Sequence, residues 1–334
     1  MDMIGTTLRL KATSSPFALA CALGLALAAN PALAEEGGSG HYLPGSIASF
    51  MDGVSPTPAL ITRINVLNYQ GSAGKDVAMP IGGRTALGAD ADSWGYAFTM
   101  FWRPKFEIGE GWSYAMSATI PYITMEVSAN TALTLPSGAT AAGPRKTDRV
   151  TGLGDVVLMP LMFNYIVDPD FNVNFRVTGY APTGSYQVGR LANTGKNFWT
   201  VEPTLGLMYF GQKNGREASV FIGADFNQEN PDTKYKSGTQ FHVDGTVAQH
   251  FPFAGGLAGA GVNAFYYKQV TDDSGAGATF GAFRAKTVGL GPALSYIRKL
   301  DGADFMAELK WLHESGTEKR LKGDSWFLKA MLKF

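Results

Sequence analysis

Few residues of this sequence are suited to chemistry, and the most suggestive pair is His242 with Asp244. Residues two apart in an extended chain share a face, so this imidazole can donate a hydrogen bond to the carboxylate. Lipid hydrolysis by a membrane barrel is one possible chemistry. Outer-membrane phospholipases place a serine and a histidine on the lipid-facing wall of their barrel, but His242 and His250 fall on a polar face. No lipid-facing serine has an evident base beside it. We interpret the pair as structural and keep lipid hydrolysis as the weakest alternative.

Cofactor and metal motifs are missing from the sequence. It has no metal-ligand spacing, no phosphate-binding glycine loop and no paired-carboxylate motif. The formal net charge is zero, which gives no reason to expect a nucleic-acid partner. These observations predict a protein that is not an enzyme and that has no cofactor and no metal.

A larger set of charged residues is predicted to line the water-filled interior of a barrel, because each alternates with apolar neighbours along its strand. The charges are of both signs, whereas a ring of one sign would indicate selection of anions or cations. A mixed lining favours a salt-bridge network that holds the interior together, with a role in solute passage as the alternative. The candidate lumen-lining residues are Arg63, Arg176, Glu202, Asp225, His242, Asp244, Glu308 and Lys310.

The elements that position these residues are β-strands, and the last strand shows the clearest pattern. From Trp326 to the final Phe334, apolar side chains alternate with mostly polar or flexible ones. This alternation is typical of the closing strand of a bacterial outer-membrane barrel, with one face on lipid and the other on water. We expect this strand, through Phe334, to contact the outer-membrane barrel-assembly machinery.

Strand-like segments recur along the whole chain, and their connections alternate between long and short. Tight turns and long loops in alternation are typical of bacterial barrels, with the turns in the periplasm and the loops outside. The predicted fold class is therefore all-β: a transmembrane antiparallel β-barrel of about twelve strands over residues 59–334, with both ends of the barrel wall in the periplasm. The predicted strands cover 59–69, 94–106, 112–126, 150–167, 171–182, 196–211, 216–228, 237–251, 256–270, 283–299, 302–314 and 322–334.

Three prolines, Pro160, Pro203 and Pro292, fall inside predicted strands. Each removes a hydrogen-bond donor from a ladder that has no free edge. The simpler interpretation is a bulge or kink that helps curvature. The alternative is a weakened wall through which an apolar solute leaves sideways into lipid.

The start of the chain predicts export. Arg9 and Lys11 precede an apolar run, and small residues end at Ala34, so residues 1–34 are predicted to be a cleaved signal peptide. Lipidation of Cys21 is the weaker alternative. Cleavage after Ala34 removes the single cysteine, which leaves neither a disulfide nor a thiolate metal site.

Residues 35–58 precede the first predicted strand and are rich in glycine and proline. By composition they form a periplasmic tail. A solvated tail does not need large apolar residues, however, so a partial plug inside the barrel stays open as an alternative. The apolar residues concerned are Tyr42, Leu43, Ile47, Phe50 and Met51.

Four pieces of the sequence carry a resemblance. They are His-Tyr-Leu-Pro-Gly at 41–45, Thr-Gly-Leu-Gly-Asp at 151–155, Tyr-Ala-Pro-Thr-Gly at 180–184, and the final Phe334. Together they resemble the outer-membrane transporter family labelled "MetA-pathway of phenol degradation", over essentially the whole chain after the signal. The resemblance implies a barrel associated with the catabolism of aromatic or other apolar compounds. Residues 35–58 are too short to match the hatch of the larger fatty-acid and toluene channels.

The patterns and the resemblance together predict a channel in the bacterial outer membrane. Its expected role is passive uptake of small apolar or aromatic solutes, with membrane lipid and the solute as partners. The alternative is a structural or surface-binding barrel whose interior is plugged.

Overall fold

The computed structural model describes residues 36–75, 77–106, 108–134, 140–278 and 284–334, and the predicted signal peptide lies outside these ranges. The strands are β1 (Ala59–Ser72), β2 (Ala78–Ile81), β3 (Arg84–Arg103), β4 (Trp112–Thr134), β5 (Thr140–Leu153), β6 (Val156–Ile166), β7 (Phe171–Ala181), β8 (Thr200–Phe210), β9 (Arg216–Asn227), β10 (Gln240–Phe253), β11 (Gly256–Gln269), β12 (Lys286–Leu300), β13 (Ala303–Glu318) and β14 (Lys322–Lys333). One short 3-10 turn covers Phe50–Asp52. Within the described ranges, no helix is long and apolar enough to cross a membrane.

The strands close into one antiparallel barrel. β1 pairs with β14 on one side and with β3 on the other, and β3 pairs with β4. β4 pairs with β6 through its first half and with β5 through its second half, so β5 and β6 share one position in the wall. From β6 to β14 each strand pairs with the next, and β2, within the described ranges, pairs with β3 alone. The wall therefore has twelve positions, which confirms the predicted fold class.

Side-chain alternation divides the wall into an apolar outside and a polar inside. Five large side chains of β3 point outward and are exposed: Trp94, Tyr96, Phe98, Met100 and Trp102. On β9, by contrast, the inward Glu217, Ser219 and Asp225 are buried. Charged groups are costly in hydrocarbon, so a membrane-spanning sheet of this sequence has to turn its charges inward.

The two ends of the barrel differ, as the sequence predicts. One end carries the short turns, and there Phe334 N donates to Leu60 O at 2.9 Å, which joins the chain end to β1. The other end carries longer connections such as 182–199, 228–239 and 270–285. We call these the turn end and the loop end.

Several predicted boundaries were wrong at the loop end. Residues 84–93 and 127–134 prolong β3 and β4, and β5 begins at Thr140, where loops were predicted. These extensions carry outward polar side chains such as Asp90 and Ser128, so the apolar alternation expected of a lipid-facing strand is missing. The predicted strand 150–167 is divided between β5 and β6.

The prolines act in two ways. At Pro160 the ladders of β6 with β4 and with β7 both shift by one residue, which is the expected bulge. Pro203 and Pro292 keep their register with one neighbouring strand. On the opposite side their ladders are interrupted at 202–203 and 291–292 without any shift. These two prolines therefore create gaps in hydrogen bonding rather than bulges.

Candidate functional site

The N-terminal segment, residues 36–58, runs along the inner face of the barrel from the loop end to the turn end. At the loop end Gly37 N donates to Pro80 O at 2.7 Å. Further along, Arg176 Nη2 donates to Asp52 O at 2.5 Å. The segment then leads into β1, whose Leu60 bonds the last residue of the chain. The interior of the barrel is therefore occupied by this segment over its length.

A buried cluster of charges holds the segment near its Asp52, and we call it the Asp52 cluster. Lys329 Nζ lies 3.0 and 2.8 Å from the two oxygens of the Asp52 carboxylate, and Arg63 Nη1 lies 3.2 Å from one of them. Glu308 Oε1 is 3.3 Å from the same Lys329 Nζ. The Asp52 side chain is only 1% exposed. Charges buried this deeply need partners, so the cluster fixes the segment to β1, β13 and β14.

Charged wall residues also bind the backbone of the segment at Gly45. Lys310 Nζ donates to Gly45 O at 2.6 Å, and Gly45 N donates to Asp244 Oδ1 at 2.6 Å. Gly45 has a φ of +85°, and a Cβ there would collide with Leu312. Glycine is suited to both the positive φ and the close approach of Leu312. The Leu-Pro-Gly sequence therefore places a peptide group without a side chain between Lys310 and Asp244.

Three of the sequence pieces that carry the family resemblance meet at Asp155. This residue follows the break between β5 and β6 and its side chain is buried. Its carboxylate accepts hydrogen bonds from Gly184 N at 2.8 Å and from Lys196 N at 2.7 Å. On the other side it lies 2.9 Å from His41 Nε2 of the N-terminal segment. The Asp155 carboxylate therefore connects the junction of β5 and β6, the 182–199 connection and the N-terminal segment.

A cavity of about 430 Å³ lies between the N-terminal segment and the inner faces of β1, β3 and β4. Small inward residues of β3, among them Ala91 and Gly95, leave this space. Most of the lining is apolar, and charged groups such as Arg63, Lys196 and Glu202 stand at its border. The volume lies within the usual range of small-molecule sites, which are mostly apolar with a few polar groups. The apolar lining includes Leu43, Ile47, Leu67, Ile123, Met125, Leu321 and Phe327.

The structure turns all eight predicted lumen-lining side chains inward. Seven are buried, and the Arg63 side chain is 15% exposed. They do not form one site. Arg63 and Glu308 belong to the Asp52 cluster, and Arg176 and Lys310 lie beside it. The other four form a second group on β8, β9 and β10: Glu202, Asp225, His242 and Asp244.

Sequence reasoning missed the partners supplied by the N-terminal segment. Asp52 and His41 carry its main polar contacts, yet only the apolar residues of the segment had suggested a plug. Lys329 was also missed as a lumen residue, although it stands on the polar face of β14. The sequence signal that could have indicated these contacts was the charge of Asp52 within a glycine-rich segment.

The docking of Glu36, at the start of the N-terminal segment, should depend on pH. Burial raises the pKa of the Glu36 carboxyl above its ordinary value, against the hydrogen bonds of Tyr186 and Asn230. A raised pKa means that the docked state binds the proton more tightly, so its contribution to stability is full in acid and is lost as pH rises through the raised value. We expect the amides at the start of the segment to have larger hydrogen-exchange protection factors, which are corrected for the intrinsic pH dependence of exchange, at mildly acidic than at mildly alkaline pH. Glu36→Gln should abolish this difference, and a variant that kept it would contradict the assignment.

The closed wall, its apolar outside and its charged, filled interior define an outer-membrane β-barrel. The sequence matches the family described as "Putative MetA-pathway of phenol degradation" over residues 74–330. The chain belongs to this family.

Solved structures show a similar fold. An outer membrane channel from Pseudomonas putida F1 has a TM-score of 0.64 at 13% identity, covering 86% of this chain and 100% of that chain. The beta domain of the Bordetella autotransporter BrkA has a TM-score of 0.44 at 11% identity, covering 83% and 99%. A FadL homologue from Pseudomonas aeruginosa has a TM-score of 0.40 at 7% identity, covering 83% and 89%. No curated protein sequence matches the chain.

Proposed function

We propose that this protein is an outer-membrane channel for passive uptake of small apolar or aromatic solutes. The observation that carries the proposal is the apolar cavity enclosed between the N-terminal segment and β1, β3 and β4. The outward apolar side chains contact membrane lipid, and the strand that ends at Phe334 is the contact for the barrel-assembly machinery. No step of this function requires catalysis or a cofactor.

The cavity suits weak, reversible binding of an apolar ring. Full burial of an aromatic group removes about 150–250 Å² of surface from water. At about 25 cal/mol per Å² this gives about 4–6 kcal/mol, from which the cost of association is subtracted. Net binding is then in the millimolar range or weaker, since about 4 kcal/mol corresponds to a dissociation constant of about 1 mM. A passive route needs such weak binding, because the solute has to leave again.

The wall beside the cavity offers an exit into lipid. β6 pairs with β7 up to Val156 opposite Ala181, whereas β5, within the described residues, pairs only with β4. The 182–199 connection covers the free edge of β5 through side chains, as when Arg190 binds Asp148. Ile123 and Thr194 line the cavity close to this break. We propose that an apolar solute leaves sideways into lipid between β5 and β7. Movement of the 182–199 connection would open this route without breaking the hydrogen-bond ladder of any strand pair.

The N-terminal segment supports apolar over hydrophilic transport, because it fills the axial path with buried contacts. The same contacts favour the second candidate function, a plugged structural or surface-binding barrel. The two candidates differ in whether the cavity takes up a solute, so binding separates them.

Filling the cavity provides the test. The nearest side-chain atoms to a Cβ built on Gly95 are 3.8 and 3.9 Å away in Leu67, so a larger residue fits without displacing the wall. We expect Gly95→Val to weaken binding of an apolar fluorescent probe to the purified barrel about tenfold, which is about 1.4 kcal/mol. Uptake of toluene by intact cells that carry this variant should fall in parallel.

Ala118→Leu is the matched control, because it adds the same three carbon atoms on the outward face of β4. It should bind the probe and pass toluene as the unaltered protein does. If the probe bound equally well to all three proteins, or to none, the cavity would not be the solute site and the plugged barrel would be the better description.

A further inference from the structure

We propose that Glu202, Asp225 and His242 bind one divalent transition-metal cation inside the barrel. One donor atom from each of these three residues can be chosen so that all lie within 4.8 Å of one another. The residues are 3%, 0% and 0% exposed. One of the three donors, Glu202, also borders the solute cavity. The proposal still stands or falls independently of the proposed function, because zinc binding is measured without any solute.

Three neighbouring strands bring the donors together. Glu202 lies on β8, Asp225 on β9 and His242 on β10, and Gly223 of β9 pairs directly with His242. A Cβ on Gly223 would collide with His242 Nε2. The missing side chain therefore lets the imidazole lie across β9 and reach the carboxylate of β8.

The imidazole is oriented in the way that metal-binding histidines usually are. His242 Nδ1 lies 3.3 Å from Asp244 Oδ2, and this carboxylate is itself held by Gly45 N. A carboxylate at one ring nitrogen favours the tautomer that leaves a lone pair on the other. His242 Nε2 is buried 3.3 Å from Glu202 Oε1, and no described residue gives it a hydrogen bond of good geometry. A lone pair on this nitrogen and a carboxylate oxygen at this distance repel each other unless a proton or a metal cation lies between them, and zinc binding distinguishes the two.

The local charges also favour a cation. Glu202, Asp225 and Asp244 place three carboxylates around one imidazole, while Arg176 and Lys310 donate their hydrogen bonds to other groups. Arg176 donates to Asp52 O and to Asn174, and Lys310 donates to Gly45 O and Ile47 O. One imidazole with two carboxylates is a ligand set suited to Zn²⁺ or Mn²⁺.

The surroundings fix the ligands and cover them. Tyr180 Oη and Thr204 Oγ1 donate to the Glu202 carboxylate at 2.6 and 2.9 Å, which holds it in place. The ring of Tyr42 stacks on His242 with 3.6 Å between ring centroids. A bound ion would link β8, β9 and β10 beneath the N-terminal segment.

Zinc binding by the purified full chain tests the proposal. After treatment with a chelator and addition of Zn²⁺, gel filtration and elemental analysis should find one zinc per chain. Competition with a chromophoric chelator should show that His242→Gln and Asp225→Asn each weaken binding at least about tenfold. Asp244→Asn does not remove a ligand, and we expect about a 10–100-fold loss, as is usual for groups that orient a metal ligand.

His250→Gln is the matched control. His250 is equally buried and its Nε2 lies 2.8 Å from a single carboxylate, that of Glu217, so its loss should leave zinc affinity unchanged. Heat-dependent mobility on gels reports whether each variant has formed its barrel. Substitution of Co²⁺ in the unaltered protein gives an absorption spectrum of a nitrogen–oxygen site without any mutation. Less than one zinc per chain in the unaltered protein, or an equal loss in the His250 variant, would overturn the proposal.

Discussion

Replacing Asp52 with alanine is expected to release the N-terminal segment and to raise the ion conductance of the barrel. The substitution leaves Lys329 and Arg63 buried without the carboxylate that both contact. Removing one partner of a buried ion pair costs about 3–5 kcal/mol. The segment should give way before the wall does, because every strand of the closed barrel keeps its ladders without it.

Planar bilayers and limited proteolysis measure this release. The Asp52→Ala protein should show a higher and noisier single-channel conductance, and cleavage within residues 36–58 should become faster. The control is Asp304→Ala, because Asp304 is 34% exposed and Lys333, at 3.4 Å, is its one ion-pair partner among the described residues. Such exposed pairs contribute about 0–1 kcal/mol, so conductance and cleavage should be unchanged. A variant at Asp52 with ordinary conductance and ordinary protease resistance would show that other contacts hold the segment.

The barrel wall was predictable because its signal is local. Within the lipid belt each strand alternates apolar and polar residues, and a window of ten residues contains the whole pattern. Beyond the belt this constraint disappears. The outer parts of β3 and β4 carry residues such as Asp90 and Ser128, which are typical of loops although their backbones continue the ladder.

The interior was not predictable in the same way, because its contacts join distant parts of the chain. Asp52 and Lys329 are separated by 277 positions, and His41 and Asp155 by 114. No periodicity records such pairs. The motif pieces around His41, Asp155 and Gly184 could be recognised separately, but only the fold shows that they share one carboxylate. The inward direction of the candidate residues followed from alternation, whereas their partners did not.

Deleting residues 36–58 should have the largest effect on conduction, turning a filled barrel into a water-filled one. The inward charges would then be hydrated rather than buried without partners, so the penalty that accompanies Asp52→Ala does not arise. The inner faces of β7 to β10 carry polar side chains, and the strand ladders of the described wall do not involve the segment, so the barrel should still form. Single-channel conductance in planar bilayers should rise severalfold over the full chain, and small sugars should enter proteoliposomes that exclude them otherwise.

A shorter deletion, of residues 36–40, provides the comparison. It removes the contacts of Glu36 with the loops but keeps Tyr42 on His242 and the whole Asp52 cluster. If the segment blocks the interior by its deep contacts, this protein should conduct like the full chain. Should both deletions conduct equally, the loop end would be the barrier instead. Should neither conduct more than the full chain, side chains of the wall alone would close the barrel, and an axial route for water would be excluded with or without the segment.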